Sequence, residues 1–265
     1  MPIYSEIRYD AADHVAALTW NRPEQRNALT PVMLGEAIQA VGDAQTDPEV
    51  RVLVITGAGR AFCAGGDTKA MAQSLSTNDP TAYEGERLGQ IQELQLMLRR
   101  FPKVVIAAVN GAAYGAGLDL ACTADFRIAA DTARFCEVYV RLGLAPGGGG
   151  AWLLPRIVGV TSALDLVLSG EPIDAAEALR IGLVSRVVPA ADLASATREF
   201  AQRFVLSAPR SVQIAKRTLY RGLEMSFEAS LDFIRPYIGA LRQTEDHKEG
   251  LRALQERRLP RFEGR

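Results

Sequence analysis

Histidine is nearly absent from this chain. His14 and His247 are the only two in 265 residues, and neither stands in an HExxH run or a His–Cys cluster. Zinc sites need several imidazoles or thiolates at ligand spacing, so no metal site is expected. Cysteine is scarce too: Cys63, Cys122 and Cys136 are an odd number without CxxC spacing. That excludes a disulfide framework and fits a reducing, cytoplasmic setting. Neither sign of charge is in excess, with 30 Lys+Arg against 31 Asp+Glu and a formal net charge of −1. A broad nucleic-acid surface needs a cationic surplus and is excluded, while a local basic pocket for one phosphorylated small molecule is not. The longest apolar run, Val104 to Val109, falls far short of the ~20 residues of a membrane span. The start, Met1-Pro2-Ile3-Tyr4-Ser5-Glu6, has no basic stretch followed by an apolar one, so neither a signal peptide nor a membrane partner is expected.

Three further signatures are missing as well. There is no GxSxG elbow and no GxxxxGK[ST] loop, and the would-be third glycine after Gly57-Ala58-Gly59 is Phe62. A serine-hydrolase elbow, a P-loop and a dinucleotide fingerprint are thereby set aside.

Glycine, by contrast, is plentiful and clustered: of 23, 14 lie between Gly57 and Gly150. Around them the pattern alternates strand and helix. His14 to Trp20 and Val50 to Thr56 read as strands, and Val104 to Val109 as a strand buried on both faces. Thr30 with Pro31 opens a helix carrying Met33, Leu34, Ala37, Ile38 and Val41, and Glu84 to Arg100 forms a longer one ended by Pro102. Gly115 to Cys122 reads as helix, Phe126 to Ala130 and Arg134 to Val138 as strands, and Ser74 to Tyr83 as a loop. Beyond about residue 160 helical patterns dominate. Strands first and helices last describe an α/β core with a helical C-terminal segment.

Two glycine-bearing segments each follow a strand. One is Ala61-Phe62-Cys63-Ala64-Gly65-Gly66-Asp67 and the other runs from Asn110 to Asp119 through Gly115-Ala116-Gly117. Small residues let a ligand approach bare backbone N–H groups, and a helix N-terminus adds partial positive charge. Two such amides converging on one point make an oxyanion hole. The same residues also fit two tight turns that need glycine only for positive φ.

Taken together, several stretches resemble the enoyl-CoA hydratase/isomerase (crotonase) superfamily. They are Asn21-Arg22-Pro23 with Asn27-Ala28-Leu29, VLVITGAGRAFCAGGD, AAVNGAAYGAGLDLACTADFRIAA, RLGLAPGGGGAWLLPRIVG, SGEPIDAAEALRIGLVSRVVP and EGLRALQERRLPRF, which span nearly the whole chain in family order. The resemblance implies a spiral of ββα units over residues 1–200. It also implies a C-terminal helical segment, 201–265, packing across a homotrimer that commonly pairs into a hexamer. It implies an acyl-CoA substrate whose thioester carbonyl is held by the amides of Gly66 and Ala116, and no cofactor beyond the coenzyme A of the substrate. Arg26, Ala28, Ala64, Asp67 and Lys69 would line the coenzyme A groove. Arg257 would reach a neighbouring subunit's nucleotide phosphate, the alternative being a solvated helix end.

The catalytic positions depart from the family. Where the resemblance implies a pair of glutamates, this chain has Asp119 and Tyr139. Asp119 keeps a carboxylate in an apolar helix turn, where desolvation should raise its pKa; its alternative is a structural cap. Tyrosine, with a pKa of about 10, donates a hydrogen bond but is a poor base at neutral pH. Glu137, two residues earlier on the same predicted strand face, is the other candidate acid/base, or else a surface carboxylate. Some relatives carry an aspartate just after the Gly-Leu-x-Pro turn, and here that residue is Gly147. One acid/base suffices to move a double bond, whereas hydration asks for a second positioned group. The residues therefore favour isomerisation over hydration, with a CoA-ester-binding homologue of little turnover as the remaining alternative.

Overall fold

The computed structural model describes residues 3–74 and 80–265. Strands β1 (Ile7–Ala12) and β2 (Val15–Trp20) form a hairpin whose two turn residues, Asp13 and His14, both take positive φ, the requirement of a type I′ turn. After helix α1 (Pro31–Thr46), three strand pairs follow: β3 (Val52–Gly57) with β4 (Ala61–Cys63), β5 (Val104–Val109) with β6 (Ala112–Tyr114), and β7 (Phe126–Ala130) with β8 (Arg134–Cys136). Between the pairs lie α2 (Thr68–Ser74), α3 (Pro80–Arg100) and α4 (Ala116–Thr123). The first strand of each pair joins a six-stranded sheet ordered β1-β2-β3-β5-β7-β10, parallel except for the hairpin. The second joins a four-stranded sheet ordered β4-β6-β8-β9, in which β4, β6 and β8 are parallel. Each ββα turn thus adds one rung to both sheets, the spiral that the resemblance implied. Strand β9 (Ile173–Asp174) and β10 (Arg186–Val188) complete the sheets, with α5 (Gly150–Ser169), α6 (Ala175–Arg180) and α7 (Leu193–Val205) around them.

Burial explains the apolar run in β5. Val105, Ala107 and Val109 face the main core with Leu53 and Ile55 of β3. Val104, Ile106 and Ala108 face a second core that Leu193, Phe200, Ala201 and Val205 of α7 cover. A sheet covered on both faces needs no alternation of polar and apolar residues.

Helix α1 begins as expected, with Thr30 Oγ1 accepting from Met33 N–H at 3.0 Å and Pro31 in the first turn. Replacing Thr30 by Ala orphans that amide and is expected to lower stability by about 1 kcal/mol in a denaturant titration. Helix α5 has the length and hydropathy of a spanning helix, 20 residues and a mean of 1.5. It is nevertheless broken at Gly159 (φ 77°) and sends Leu154, Ala163 and Leu166 into the core. Helices α8 (Pro209–Gly222), α9 (Phe227–Arg242) and α10 (Glu245–Glu256) end the chain. Asp125 tethers α8, accepting from Lys216 Nζ at 2.6 Å and Tyr220 Oη at 2.7 Å.

Two sequence expectations change. Arg134 to Val138 is strand only to Cys136, because Gly115 (φ 50°) turns β6 away once its amide has bonded Cys136 O. Residues Val138–Leu142 then form a 3₁₀ turn. Of the loop expected at Ser74 to Tyr83, residues 75–79 lie outside the described residues, while Ser74 ends α2 and Pro80 starts α3.

Candidate active site

The two glycine segments meet. A Cβ on Gly117 would collide with the backbone of Cys63, and one on Gly65 (φ 84°) would lie 3.3 Å from Ala116 N. Glycine at both places lets the turn after β4 lie directly against the start of α4. Leu29 N–H bonds Gly65 O at 2.8 Å, and Ala64 N–H bonds Arg26 O at 3.0 Å, so the preceding loop holds the turn from its other side. Asn27, buried with a left-handed φ, fastens that loop by donating from Nδ2 to Ala61 O at 2.8 Å and Ala58 O at 3.0 Å. Ala116 opens α4, so its amide is one of the first N–H groups that no carbonyl of the same helix can satisfy.

Around these amides lies a cavity of about 370 Å³ whose wall includes Arg26, Ala64, Gly66, Ala116 and Tyr139. Four of these five were expected in the oxyanion hole or coenzyme A groove and the fifth at the second acid/base position. Ala28 is buried behind the wall, its carbonyl accepting from Arg22 Nη1 at 2.8 Å. Asp67 also stands outside the wall and caps α2, its Oδ1 accepting from the amides of Lys69 and Ala70. Lys69 is exposed on α2, and Arg257 is exposed at the end of α10, away from this cavity within one chain.

Asp119 lies in the first turn of α4 and is fully shielded from solvent. Its Oδ2 accepts from Tyr139 Oη at 2.6 Å. Burial raises its pKa above the ordinary carboxylate range, while the Tyr139 hydroxyl and the amides of Gly148 and Gly150 pull it back down. Those amides lie at the N-terminal end of α5, where partial positive charge favours an anion. Burial and the neighbouring Asp119 push the phenol of Tyr139 far above its usual value, so it stays protonated and donates. Glu137 is fully buried rather than a surface carboxylate, and it precedes the 3₁₀ turn instead of sharing a strand with Tyr139. Burial, then the charge of Asp119, raises its pKa strongly. A thiol nucleophile finds no support here, since burial pushes Cys63 up to about 12 and Cys122 higher still.

One charged residue of the cavity wall escaped the sequence reading. Arg87 is buried, lies against Gly66 and lines the cavity. Its signal was present, because Arg87, Ile91, Leu94 and Leu98 share one face of α3 and the last three are core. A charge on an apolar stripe stands out because burial obliges it to be paired.

The model for the enoyl-CoA hydratase/isomerase family matches residues 10–265. The chain belongs to this family. It is 38% identical to the (E)-benzylidenesuccinyl-CoA hydratase of Thauera aromatica, each chain covered in full. It is 33% identical to the trans-2-decenoyl-[acyl-carrier-protein] isomerase of Streptococcus mutans over 99% of both chains. The crystal structure of enoyl-CoA hydratase from Bacillus anthracis superposes with a TM-score of 0.93 at 34% identity, covering 98% of this chain and all of the other. This member of the enoyl-CoA hydratase/isomerase family is therefore an acyl-CoA enzyme with the crotonase fold, of the lyase or isomerase kind.

Proposed function

We propose that this enzyme shifts a double bond in an acyl-CoA thioester through an enolate. The observation that carries this reading is the shared cavity, in which Gly66, Ala116 and Tyr139 face one space and Asp119 stands behind the tyrosine hydroxyl. The Gly66 and Ala116 amides donate to the thioester oxygen as it gains charge, which is the largest single source of stabilisation in such reactions. Tyr139 Oη takes the proton leaving carbon while its own proton passes to Asp119 Oδ2. The reverse transfer delivers a proton to the other end of the allylic system. A carboxylate with a raised pKa suits this work, because acid/base groups act best near the operating pH.

Among the described residues, the cavity wall carries no carboxylate, and Asp119 stands behind Tyr139; no pair of acids faces the space to position water, which favours isomerisation. Hydration of a 2-enoyl-CoA is the second reading, supported by relatives whose names include (E)-benzylidenesuccinyl-CoA hydratase. Incubating a β,γ-unsaturated acyl-CoA in D₂O is expected to give deuterium at the α- or γ-carbon together with the conjugated isomer. Loss of enoyl absorbance from crotonyl-CoA would favour the hydratase. Absence of exchange across an acyl-CoA panel, with binding intact, would leave only a CoA-ester-binding protein.

Tyr139→Phe tests the relay. Exchange is expected to fall by about 10²-fold or more, and an unchanged rate would rule out proton transfer through the hydroxyl.

The remaining assignments are parts of the same proposal. Arg26, Ala28, Ala64, Asp67 and Lys69 border the coenzyme A path, and Arg257 reaches a phosphate held by a neighbouring subunit. Residues 201–265 form the segment of a homotrimer or homohexamer, for which the exposed Leu219, Leu223 and Phe227 provide an apolar surface. No cofactor is required beyond the substrate's own coenzyme A. Three free, buried cysteines support a cytoplasmic location.

A further inference from the structure

The proton relay proposed above makes no use of Glu137. Neither of its carboxyl oxygens has a hydrogen-bond partner, and the same holds for Asp119 Oδ1. No N–H or hydroxyl donor reaches these atoms, and Asp119 Oδ1 and Glu137 Oε1 border the same point, the two carboxyls facing each other. A Cβ on Gly150 would collide with Asp119 Oδ1 and stand 3.3 Å from Glu137 Oε1. Both acids therefore converge on bare backbone at the start of α5, where only glycine leaves room for them. Two carboxylates buried side by side repel, whereas one proton between them turns repulsion into a strong hydrogen bond.

The surroundings decide which acid keeps that proton. Asp119 receives the Tyr139 hydroxyl on Oδ2, and the Gly148 and Gly150 amides favour its anion. Glu137 receives no donor of its own. Among the described residues, the titratable or charged groups around the pair include Cys122 on α4, Cys136 before Glu137 with Arg141 beside it, Arg127 on β7 beside Cys122, and Arg87 beside Tyr139. Arg127 is engaged elsewhere, donating to Leu183 O at 2.6 Å and Ala124 O at 2.7 Å.

We propose that Glu137 is a positioning residue: a carboxylic acid kept protonated, whose O–H donates to Asp119 Oδ1, keeps that carboxylate ionised and turns Oδ2 toward Tyr139. The inference rests on the Asp119–Tyr139 relay. Its consequence is that this site uses two carboxyl groups for one base, the deeper one never touching substrate.

The test compares Glu137→Gln and Glu137→Met by deuterium exchange into an acyl-CoA across pH. Gln keeps an N–H donor, so exchange and its acid limb are expected to stay within about threefold of wild type. Met fills the space without a donor, so the acid limb is expected to move up by about one pH unit, with exchange near neutrality falling about tenfold. Loss of exchange in Glu137→Gln would make Glu137 the base and overturn the proposal. An unchanged pH profile in both variants would leave it a packing residue only and also overturn it. A measurement independent of turnover is the infrared difference between wild type and Glu137→Gln at pH 7. A carboxylic-acid carbonyl band supports the proposal and a carboxylate band sinks it. Asp119→Asn run in parallel separates the two ideas: retained exchange there removes the relay itself, and the role of Glu137 falls with it.

Discussion

Asp119→Asn is expected to abolish deuterium exchange into an acyl-CoA, by roughly 10² to 10⁴-fold, without lowering the melting temperature. Asn can still accept from Tyr139 where Asp119 Oδ2 now does, but it cannot take up a proton. CoA-ester binding, which on the proposed reading draws on Gly66, Ala116 and the groove, should survive. Retained exchange would remove Asp119 from the mechanism. The stability half follows from the direction of the pKa shift. Burial raises the pKa of Asp119 and of Glu137, so the folded chain binds these protons more tightly than the unfolded chain. Stability from such groups falls as pH rises from the unfolded carboxylate range, about 4, through the raised folded values. The wild type therefore carries a penalty near neutrality that Asp119→Asn relieves. The variant's advantage in melting temperature should be larger at pH 8 than at pH 5, and a loss of several degrees at pH 8 would contradict this account. For the same reason exchange by the wild type should rise with pH along a limb placed above that of an ordinary aspartate.

The sequence revealed some parts of this site and hid others, for physical reasons. The long elements were legible because repetition carries the signal: β5 is apolar at all six positions, and α1 repeats its core residues at helical spacing from a Thr-Pro start. Strands β4, β6, β9 and β10 hold two or three residues each, too few to display a period of two. Hairpin strand β1 does show that period, with Arg8, Asp10 and Ala12 outward and Ile7, Tyr9 and Ala11 inward, so its signal was present in the sequence. The amides proposed for the oxyanion hole were legible only as glycine spacing, since a backbone N–H has no residue letter of its own. Glu137 misled because Arg134 to Val138 has strand-like composition. What ends β8 is the turn of its partner at Gly115, a tertiary cause that no local pattern contains. Tyr139 meets Asp119 through that 3₁₀ turn, so the two-residue spacing to Glu137 pointed to the right cluster by the wrong geometry.

Gly117→Ala is expected to cost more activity than its single methyl suggests. The new Cβ would meet the carbonyl oxygen of Cys63, and would lie 2.8 Å from its carbonyl carbon and its Cβ. Two of these three atoms are backbone, so no rotamer change makes room. Helix α4 and the turn after β4 must move apart, and this contact, together with that at Gly65, holds Ala116 near Gly66. Overpacking of this kind costs about 1–3 kcal/mol of stability. A displacement of about 1 Å at a catalytic constellation costs on the order of 10²-fold in rate. Gly35→Ala provides the control, since a Cβ there meets nothing within 4 Å on the exposed side of α1. That substitution is expected to raise stability by up to about 1 kcal/mol through helix propensity, with exchange unchanged. Denaturant titrations and exchange rates of the two variants can be compared directly. Full activity in Gly117→Ala would mean that the two amides do not act as one oxyanion hole. Activity lost only in proportion to unfolded protein would mean that glycine at 117 serves folding alone. A folded variant that binds a CoA ester but exchanges its proton at least about 100-fold more slowly is the outcome this geometry requires.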